Sequence, residues 1–480
     1  MKKFERILPA VLLACGIGLQ SVSSLEGANS QNWPQWRGPN ANGLVDAGNP
    51  PIEWSETKNI SWKVAVPGKG HATPIIWGDK VFLLTAVSAA PTPAAAGAQV
   101  QGQQRGRPGG APPEGARGQR GRPGGPGDRG GRGGRGGRGG RGGRGGGGAP
   151  TTEHTFTALC LDRATGKVLW ETVARKEVPH QGVQRTNTYG SGSPTTDGEH
   201  LYVSFGSHGL YCYDLDGKLV WEKDLGKVNV TFGEAASPTV YGETLIVVQD
   251  NNGESFIYAF DKRTGKELWK KNRDEGSGWT TPYVMERDGR TQVLVSGSRA
   301  VRSYDIATGE VIWQCSGLGS NPVPMIVADD DAIYAMSGHR EPYAMAVKMG
   351  GKGDLTESGA VLWSTTRGTP YVPSPLLYDG LLFFCQRTSA ILTCIDAKTG
   401  SAHFEQERVE GVTGVYASPV GVQDRIYLPS QNGSTVVFKK SKQLDVLAVN
   451  KLDDEFDASP AIVGNQLFLR GHANLYCIAE

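Results

Sequence analysis

Asp261-Lys262-Arg263-Thr264-Gly265-Lys266-Glu267-Leu268-Trp269 is one copy of a pattern that recurs along the chain. Aspartate accepts backbone N–H groups in a turn, and glycine tolerates the positive φ that closes a short hairpin. Residues 162–170 and 305–313 have the same pattern. Each copy therefore predicts a turn that leads into a β-strand with a tryptophan.

A second landmark is a small residue followed by proline, which recurs at one position in each of eight repeats. These are Thr73-Pro74, Ser193-Pro194, Ser237-Pro238, Thr281-Pro282, Val323-Pro324, Ser374-Pro375, Ser418-Pro419 and Ser459-Pro460. Successive prolines lie 41 to 51 residues apart, except for one interval of 120 residues. Four short apolar or alternating runs, separated by turns, fill each unit and predict four strands, A to D.

The repeats predict an all-β fold, an eight-bladed β-propeller of four-stranded antiparallel blades that spans residues 31–480. The eighth repeat has no strand D, whereas Ile60–Val64 resembles a strand D that lacks its own A, B and C. We therefore predict that this N-terminal strand closes the last blade. Closure of a ring removes the open strand edges that favour aggregation.

Strand D carries an aromatic ring that we expect to dock one blade against the next. The predicted docking residues are Trp62, Trp170, Trp221, Trp269, Trp313 and Trp363, with Phe404 in the sixth repeat. One such ring buries about 150–250 Å², which stabilises the fold by about 4–6 kcal/mol.

Cysteines recur at one position of the repeat. Cys160, Cys212, Cys394 and Cys477 precede the turn motif or end the corresponding strand, so we expect small buried apolar side chains. Cys385 and Cys394 are expected to face each other across one hairpin, and they are the pair that could form a disulfide in an oxidising compartment.

Residues 1–30 read as a secretory signal peptide. Lys2, Lys3 and Arg6 precede an apolar run from 7 to 19, which is shorter than the roughly 20 residues of a membrane-spanning helix. Export to the periplasm or cell surface is expected. Cys15 follows Leu-Leu-Ala and is a lipidation candidate, which would make the protein an outer-membrane lipoprotein.

Residues 87–150 form a Gly/Arg/Pro-rich insertion in blade one, and we predict that it is disordered. It holds 11 arginines against Glu114 and Asp128, so the net charge of +2 divides into +9 here and −7 elsewhere. Such a tract can bind polyanions electrostatically. An inert low-complexity insertion is the alternative.

The Asp-x-x-Thr-Gly-Lys-x-x-Trp motif resembles the tryptophan-docking motif of pyrroloquinoline quinone (PQQ) repeat propellers over residues 31–480. The segment Trp33-Pro-Gln-Trp36-Arg-Gly-Pro39 is similar to the opening of secreted PQQ-like propeller proteins. This superfamily includes the outer-membrane assembly factor BamB, a periplasmic lipoprotein scaffold, and the quinoprotein dehydrogenases.

The resemblance also implies what a catalytic member would need. Quinoprotein dehydrogenases hold PQQ between a tryptophan and two adjacent cysteines, and they coordinate Ca²⁺. This sequence has no adjacent cysteines, no Cys-x-x-Cys-His motif, no Walker loop and no His-Glu-x-x-His pattern. We therefore expect no cofactor, no metal and no catalytic residue, with PQQ and Ca²⁺ as the alternative.

The residues three before each landmark proline are expected to form a ring at one mouth of the channel, and this ring includes Ser191, Ala235 and Val372. The ligand-binding candidates in it are His71, Trp279, Asn321, Tyr416 and Asp457. Trp279 could stack on a ligand, Asp457 and Asn321 could bind a cation, and His71 could act as a base. A water-filled polar channel is the alternative.

The long connection after Trp170 contains His180, Arg185 and Tyr189 and could cover the channel. A solvated surface loop is the other interpretation.

The sequence thus favours a monomeric, non-catalytic exported scaffold that binds envelope proteins or polymers. A PQQ-dependent dehydrogenase and a polyanion-binding protein acting through residues 87–150 remain the alternatives.

Overall fold

The structure is a computed structural model that describes residues 31–89 and 150–480. The predicted signal peptide, the lipidation candidate Cys15 and nearly all of the predicted insertion lie outside the described residues. Within the two described ranges, no helix is long and apolar enough to cross a bilayer.

Two strands, β1 (Leu44–Val45) and β2 (Ile60–Ala65), precede the first blade. The first blade contains β3 (Ile75–Trp77), β4 (Lys80–Ser88), β5 (His154–Asp162) and β6 (Val168–Glu177), and the second contains β7 (Thr195–Thr196), β8 (His200–Ser204), β9 (Leu210–Asp214) and β10 (Leu219–Lys223). The third blade contains β11 (Thr239–Tyr241), β12 (Thr244–Gln249), β13 (Ser255–Asp261) and β14 (Glu267–Arg273). The fourth blade contains β15 (Tyr283–Arg287), β16 (Arg290–Ser296), β17 (Val301–Asp305) and β18 (Val311–Cys315). A single 3-10 turn, Gly206–His208, interrupts these strands in the described part of the chain.

The fifth blade contains β19 (Val327–Ala328), β20 (Ala332–Ser337), β21 (Tyr343–Lys348) and β23 (Val361–Thr365), and the sixth contains β24 (Leu376–Tyr378), β25 (Leu381–Cys385), β26 (Ile391–Asp396) and β27 (Ala402–Arg408). The seventh blade contains β28 (Val420–Val422), β29 (Arg425–Pro429), β30 (Ser434–Lys439) and β31 (Val446–Lys451). The eighth blade contains β32 (Ala461–Val463), β33 (Gln466–Arg470) and β34 (Asn474–Ile478). The short strand β22 (Gly353–Asp354) pairs in parallel with β18 outside the fourth blade.

The eight antiparallel sheets form a propeller ring, which confirms the predicted fold. The first strands of most successive blades contact one another around the central channel. Strand β2 pairs with β34 as the fourth strand of the last blade, with Trp62 opposite Cys477. The predicted closure by an N-terminal strand is therefore confirmed.

At five of the eight junctions between blades, the small residue before one landmark proline donates its backbone N–H to the hydroxyl of the next such residue. Thr73 N donates to Ser193 Oγ at 2.9 Å, and Ser193 N donates to Ser237 Oγ at 2.9 Å. The same bond links Ser237 to Thr281, Ser374 to Ser418, and Ser418 to Ser459. Because a buried N–H without a partner costs about 1–3 kcal/mol, a hydroxyl at this position stabilises the ring.

The strand D tryptophans pack on the C/D turn of the following blade. The Trp269 indole N–H donates to the Ile306 carbonyl at 2.8 Å. The turn residue Gly309 has φ 71°, and a Cβ there would lie 2.6 Å from the Trp269 ring. Equivalent bonds join Trp62 to Arg163, Trp170 to Leu215, Trp221 to Lys262, and Trp363 to Ala397. Trp313 is buried in an apolar cluster with residues of the fifth blade.

The repeated cysteines lie opposite these rings. The facing pairs are Cys160 with Trp170, Cys212 with Trp221, Cys394 with Phe404, and Cys477 with Trp62. All four are buried, as predicted. The expected facing of Cys385 and Cys394 was wrong, because Cys385 lies opposite Leu392 and Cys394 opposite Phe383. All six cysteines in the described ranges are free thiols.

The segment before β2 crosses the inner strands, a position that the sequence analysis did not predict. Trp33 is fully buried and exchanges backbone hydrogen bonds with Ile76 of the first blade. The Arg37 guanidinium donates to the Pro375 carbonyl of the sixth blade at 2.7 Å, and β1 pairs in parallel with β28 of the seventh. Residues 33–45 therefore cover the channel at the end that carries the A/B turns.

Candidate functional site

The other end of the channel, formed by D/A connections and B/C turns, carries a cluster of ligand-type side chains. His71 lies on the connection from β2 to β3, and Asp457 lies on the connection from β31 to β32. His472 lies on the turn between β33 and β34. Three loops of the first and last blades thus meet where the ring closes.

The Asp457 carboxylate is the centre of this cluster. Its Oδ2 lies 2.8 Å from His472 Nε2 and 3.5 Å from His71 Nε2. Its Oδ1 accepts a hydrogen bond from Gln431 Nε2 at 2.8 Å. The two imidazole rings stack with centroids 5.0 Å apart and 13° between their planes. A carboxylate that is only 3% exposed is therefore held between two imidazoles and an amide.

The two histidines have different electrostatic surroundings. Burial lowers the pKa of His71 to about 4, although the charge of Asp457 opposes this shift. The hydrogen bond to Asp457 raises the pKa of His472. His71 is therefore neutral at neutral pH and keeps a lone pair on one ring nitrogen.

Arg470, the last residue of β33, adds a buried positive charge near the cluster. It is 1% exposed, and its three guanidinium nitrogens have no hydrogen-bond partner among the described residues. Burial lowers its pKa to about 10, while the carboxylate of Asp454 opposes that shift. Its charge in turn disfavours the protonation of His71.

The structure brings together only two of the candidates from the predicted ring, His71 and Asp457. Asn321, which we suggested as a second cation ligand beside Asp457, is half-buried and has a backbone φ of 58°. The Asp457 carboxylate contacts the two imidazoles instead. His472 and Gln431 were not predicted, because the landmark spacing marks D/A connections alone. Since B/C turns lie at the same end of a four-stranded meander, that topology was the signal that could have found them.

Trp279 and Tyr416 occupy other parts of the channel wall. The Trp279 ring stacks on Phe232 at 5.6 Å, its indole N–H donates to a backbone carbonyl, and it is 6% exposed. It is therefore not the open stacking surface that we suggested from the sequence. Tyr416 is half-buried close to Tyr371.

The long connection after β6 packs on the next D/A connection, residues 228–233. His180 Nε2 lies 2.9 Å from the Val228 carbonyl, and the Tyr189 hydroxyl donates to the Gln181 carbonyl at 2.7 Å. Arg185 is exposed.

His180 and Tyr189 line a small cavity of about 40 Å³ between the second and third blades. The Gln249 amide and His180 Nδ1 have no hydrogen-bond partner among the described residues. Burial raises the pKa of Glu234 in the same cavity. A cavity of this size holds a few water molecules.

A family model described as outer membrane protein assembly factor BamB matches residues 154–351 and 345–480. The chain belongs to this family. The match runs from the third strand of the first blade to the end of the last blade, so it includes Asp457, His472 and Gln431.

One curated BamB, from Shewanella oneidensis (strain MR-1), is 24% identical over 289 residues, which is 58% of this chain and 65% of the relative. The chain thus spans just under two thirds of that BamB. The solved structure of BamB from Moraxella catarrhalis is 13% identical, with 67% of this chain and 93% of that chain covered and a TM-score of 0.50. A quinohemoprotein alcohol dehydrogenase from Comamonas testosteroni is 10% identical, with 95% and 82% covered and a TM-score of 0.59. Both structures show a shared fold alone.

The residues of this BamB-family chain do not fit the quinone site implied by the dehydrogenases. That arrangement needs a free tryptophan face opposite two adjacent cysteines. The face of Trp279 packs on Phe232, and the described cysteines lie singly within blade cores.

Proposed function

We propose that this chain is a non-catalytic, exported scaffold that binds proteins of the cell envelope. The family match carries the proposal, because the matching model and the curated relative are both described as an outer-membrane assembly factor. Lys2, Lys3 and the following apolar run support export, and Cys15 supports attachment to the outer membrane. A monomer is sufficient for this role.

We place the partner-binding surface at the end of the channel that carries the D/A connections. Residues 33–45 cover the opposite end, where they make hydrogen bonds to several blades. The D/A end carries the connection with exposed Arg185, and also Ala89 and Pro150, the residues of the predicted insertion at which the described ranges end and resume. This end therefore offers both an exposed loop and the point where the basic tract leaves the first blade.

Site-specific photo-crosslinking in intact cells tests the scaffold and its binding surface together. A photoreactive amino acid at Arg185 is expected to give discrete adducts with envelope proteins. The matched control is Lys398, which is exposed on a C/D turn at the opposite end and is expected to give none. Mass spectrometry identifies the adducts and also reports whether residues 1–30 are removed and Cys15 is lipidated. Equal adducts from both positions, or a full-length cytoplasmic protein, would contradict the proposal.

The basic tract, residues 87–150, is proposed as an accessory contact for polyanions. Counterion release predicts a log–log salt slope of about −0.7 per phosphate bound on a single strand, so five contacts lose about 100-fold in affinity between 50 and 200 mM salt. Titration of heparin, polyphosphate and mixed-sequence single-stranded RNA should show steep salt dependence and little sequence preference. A variant that lacks residues 90–149 should bind none of them, because the remainder of the chain is acidic. Equal binding by both proteins would show that the tract is not the binding element.

A further inference from the structure

The nitrogen and oxygen donors of His71, Asp457 and His472 all lie within 4.8 Å of one another. We propose that these three side chains bind one divalent first-row transition-metal ion, with Zn²⁺ as the reference ion. This site is independent of the proposed scaffold role. Two imidazoles and one carboxylate favour such ions, whereas Ca²⁺ and Mg²⁺ prefer ligands made only of oxygen.

The distances between the donor atoms suit such an ion. Zinc bonds of about 2.0–2.2 Å in tetrahedral geometry place neighbouring donors about 3.4 Å apart. Asp457 Oδ2 lies 3.5 Å from His71 Nε2 and 2.8 Å from His472 Nε2. The His472 side chain is 40% exposed, so its ring can rotate to complete the site while buried Asp457 and half-buried His71 stay in place.

Neighbouring side chains orient the ligands as in known metal sites. Gln431 binds Asp457 Oδ1 and leaves Oδ2 for the ion. Glu455 lies 3.6 Å from Nδ1 of His472, the ring nitrogen remote from the site. Contacts of both kinds fix the tautomer and direction of metal ligands.

Acidic side chains beside the cluster oppose the positive charges of the nearby Arg470 and Lys69. The groove beside His472 is lined by Asp453, Asp454 and Glu455, with Lys451 as its one basic lining residue in the described part of the chain. Asp454 also attracts Arg470. The acidic groove therefore offsets the positive charge of the guanidinium.

Such an ion would connect the first and last blades, where the hydrogen bond between residues that precede the landmark prolines is missing. His71 leads into the first blade, whereas Asp457 and His472 flank strands of the eighth. At this junction Thr73 Oγ1 has no hydrogen-bond partner among the described residues, although its equivalents accept one. Metal binding should therefore raise the melting temperature, because the ion binds only the closed ring.

Calorimetric titration of the tag-free, full-length protein with Zn²⁺ tests the site. We expect one saturable Zn²⁺ per chain that Ca²⁺ does not displace. His71→Ala, Asp457→Asn and His472→Ala should each weaken binding by at least about 100-fold and abolish the zinc-dependent rise in melting temperature. His403→Ala, on the outer strand of the sixth blade, is the matched control and should bind as the wild type does.

Two further measurements keep the result interpretable if a ligand variant folds poorly. Gln431→Leu removes only the residue that orients Asp457 and should weaken binding about 10–100-fold. Co²⁺ should give visible d–d absorption that equimolar Zn²⁺ abolishes. Absence of saturable binding, equal displacement by Ca²⁺, or zinc binding that folded variants of these residues leave unchanged would overturn the proposal.

Discussion

Replacing Trp269 by alanine is expected to lower the free energy of unfolding by about 3–5 kcal/mol, the usual range for a buried large aromatic residue. The ring is 9% exposed, packs over Gly309 and donates to the Ile306 carbonyl of the next blade. Alanine would leave a cavity between two blades and an unpaired carbonyl. Urea denaturation followed by tryptophan fluorescence and circular dichroism measures the loss.

Leu268→Ala is the matched control, since this neighbour on the same strand is 51% exposed. Exposed substitutions of this kind usually change stability by about 0.5 kcal/mol or less. Equal losses for Trp269→Ala and Leu268→Ala would show that strand propensity, and not docking between blades, accounts for the role of the tryptophan.

Arg273→Met is expected to destabilise the protein by about 3–5 kcal/mol, because it leaves the buried carboxylate of Asp250 without its partner. Arg273 Nε and Nη2 donate to Asp250 Oδ1 and Oδ2 at 2.7 and 3.0 Å, and Nη1 donates to the Tyr304 hydroxyl at 2.7 Å. Both charged side chains are at most 2% exposed. Thermal and urea unfolding measure the change.

The matched control is Arg299→Met, which breaks an ion pair with Asp274 of the same 2.7 Å length at 64% and 74% exposure. That loss should be about 1 kcal/mol or less.

Removal of both buried charges, in Asp250→Leu with Arg273→Met, should recover much of the single-variant loss. Burial raises the pKa of Asp250, so the loss in Arg273→Met should shrink as the pH falls and the carboxyl is protonated. Equal losses for Arg273→Met and Arg299→Met would contradict this account.

The blades were predictable because their signals are local. In the turn from Asp261 to Lys266, the aspartate accepts the backbone N–H of Thr264 at 2.8 Å, so the motif acts within six residues. Alternating apolar residues and the repeat period then place the strands. The closing strand β2 was also predictable, since its tryptophan identifies it as a strand D without a blade.

The candidate site was predictable only in part. The spacing from the landmark prolines placed His71 and Asp457 at one end of the channel, because that offset repeats in every blade. That spacing could not show that His472 and Gln431 complete the cluster, since it marks D/A connections and these two residues lie on B/C turns. The packing of Phe232 on Trp279 was equally hidden, because it depends on the course of an irregular loop.

The sequence by itself determined the eight-fold repeat, the four strands of each blade, the closing strand and the buried cysteine position, because turn chemistry and side-chain alternation act between near neighbours. The tertiary structure alone decided the register that separates Cys385 from Cys394, the path of residues 33–45 across the channel and the contact between His71 and Asp457. The last two of these features join residues far apart in the chain. They form only when the ring closes and brings the first and last blades side by side.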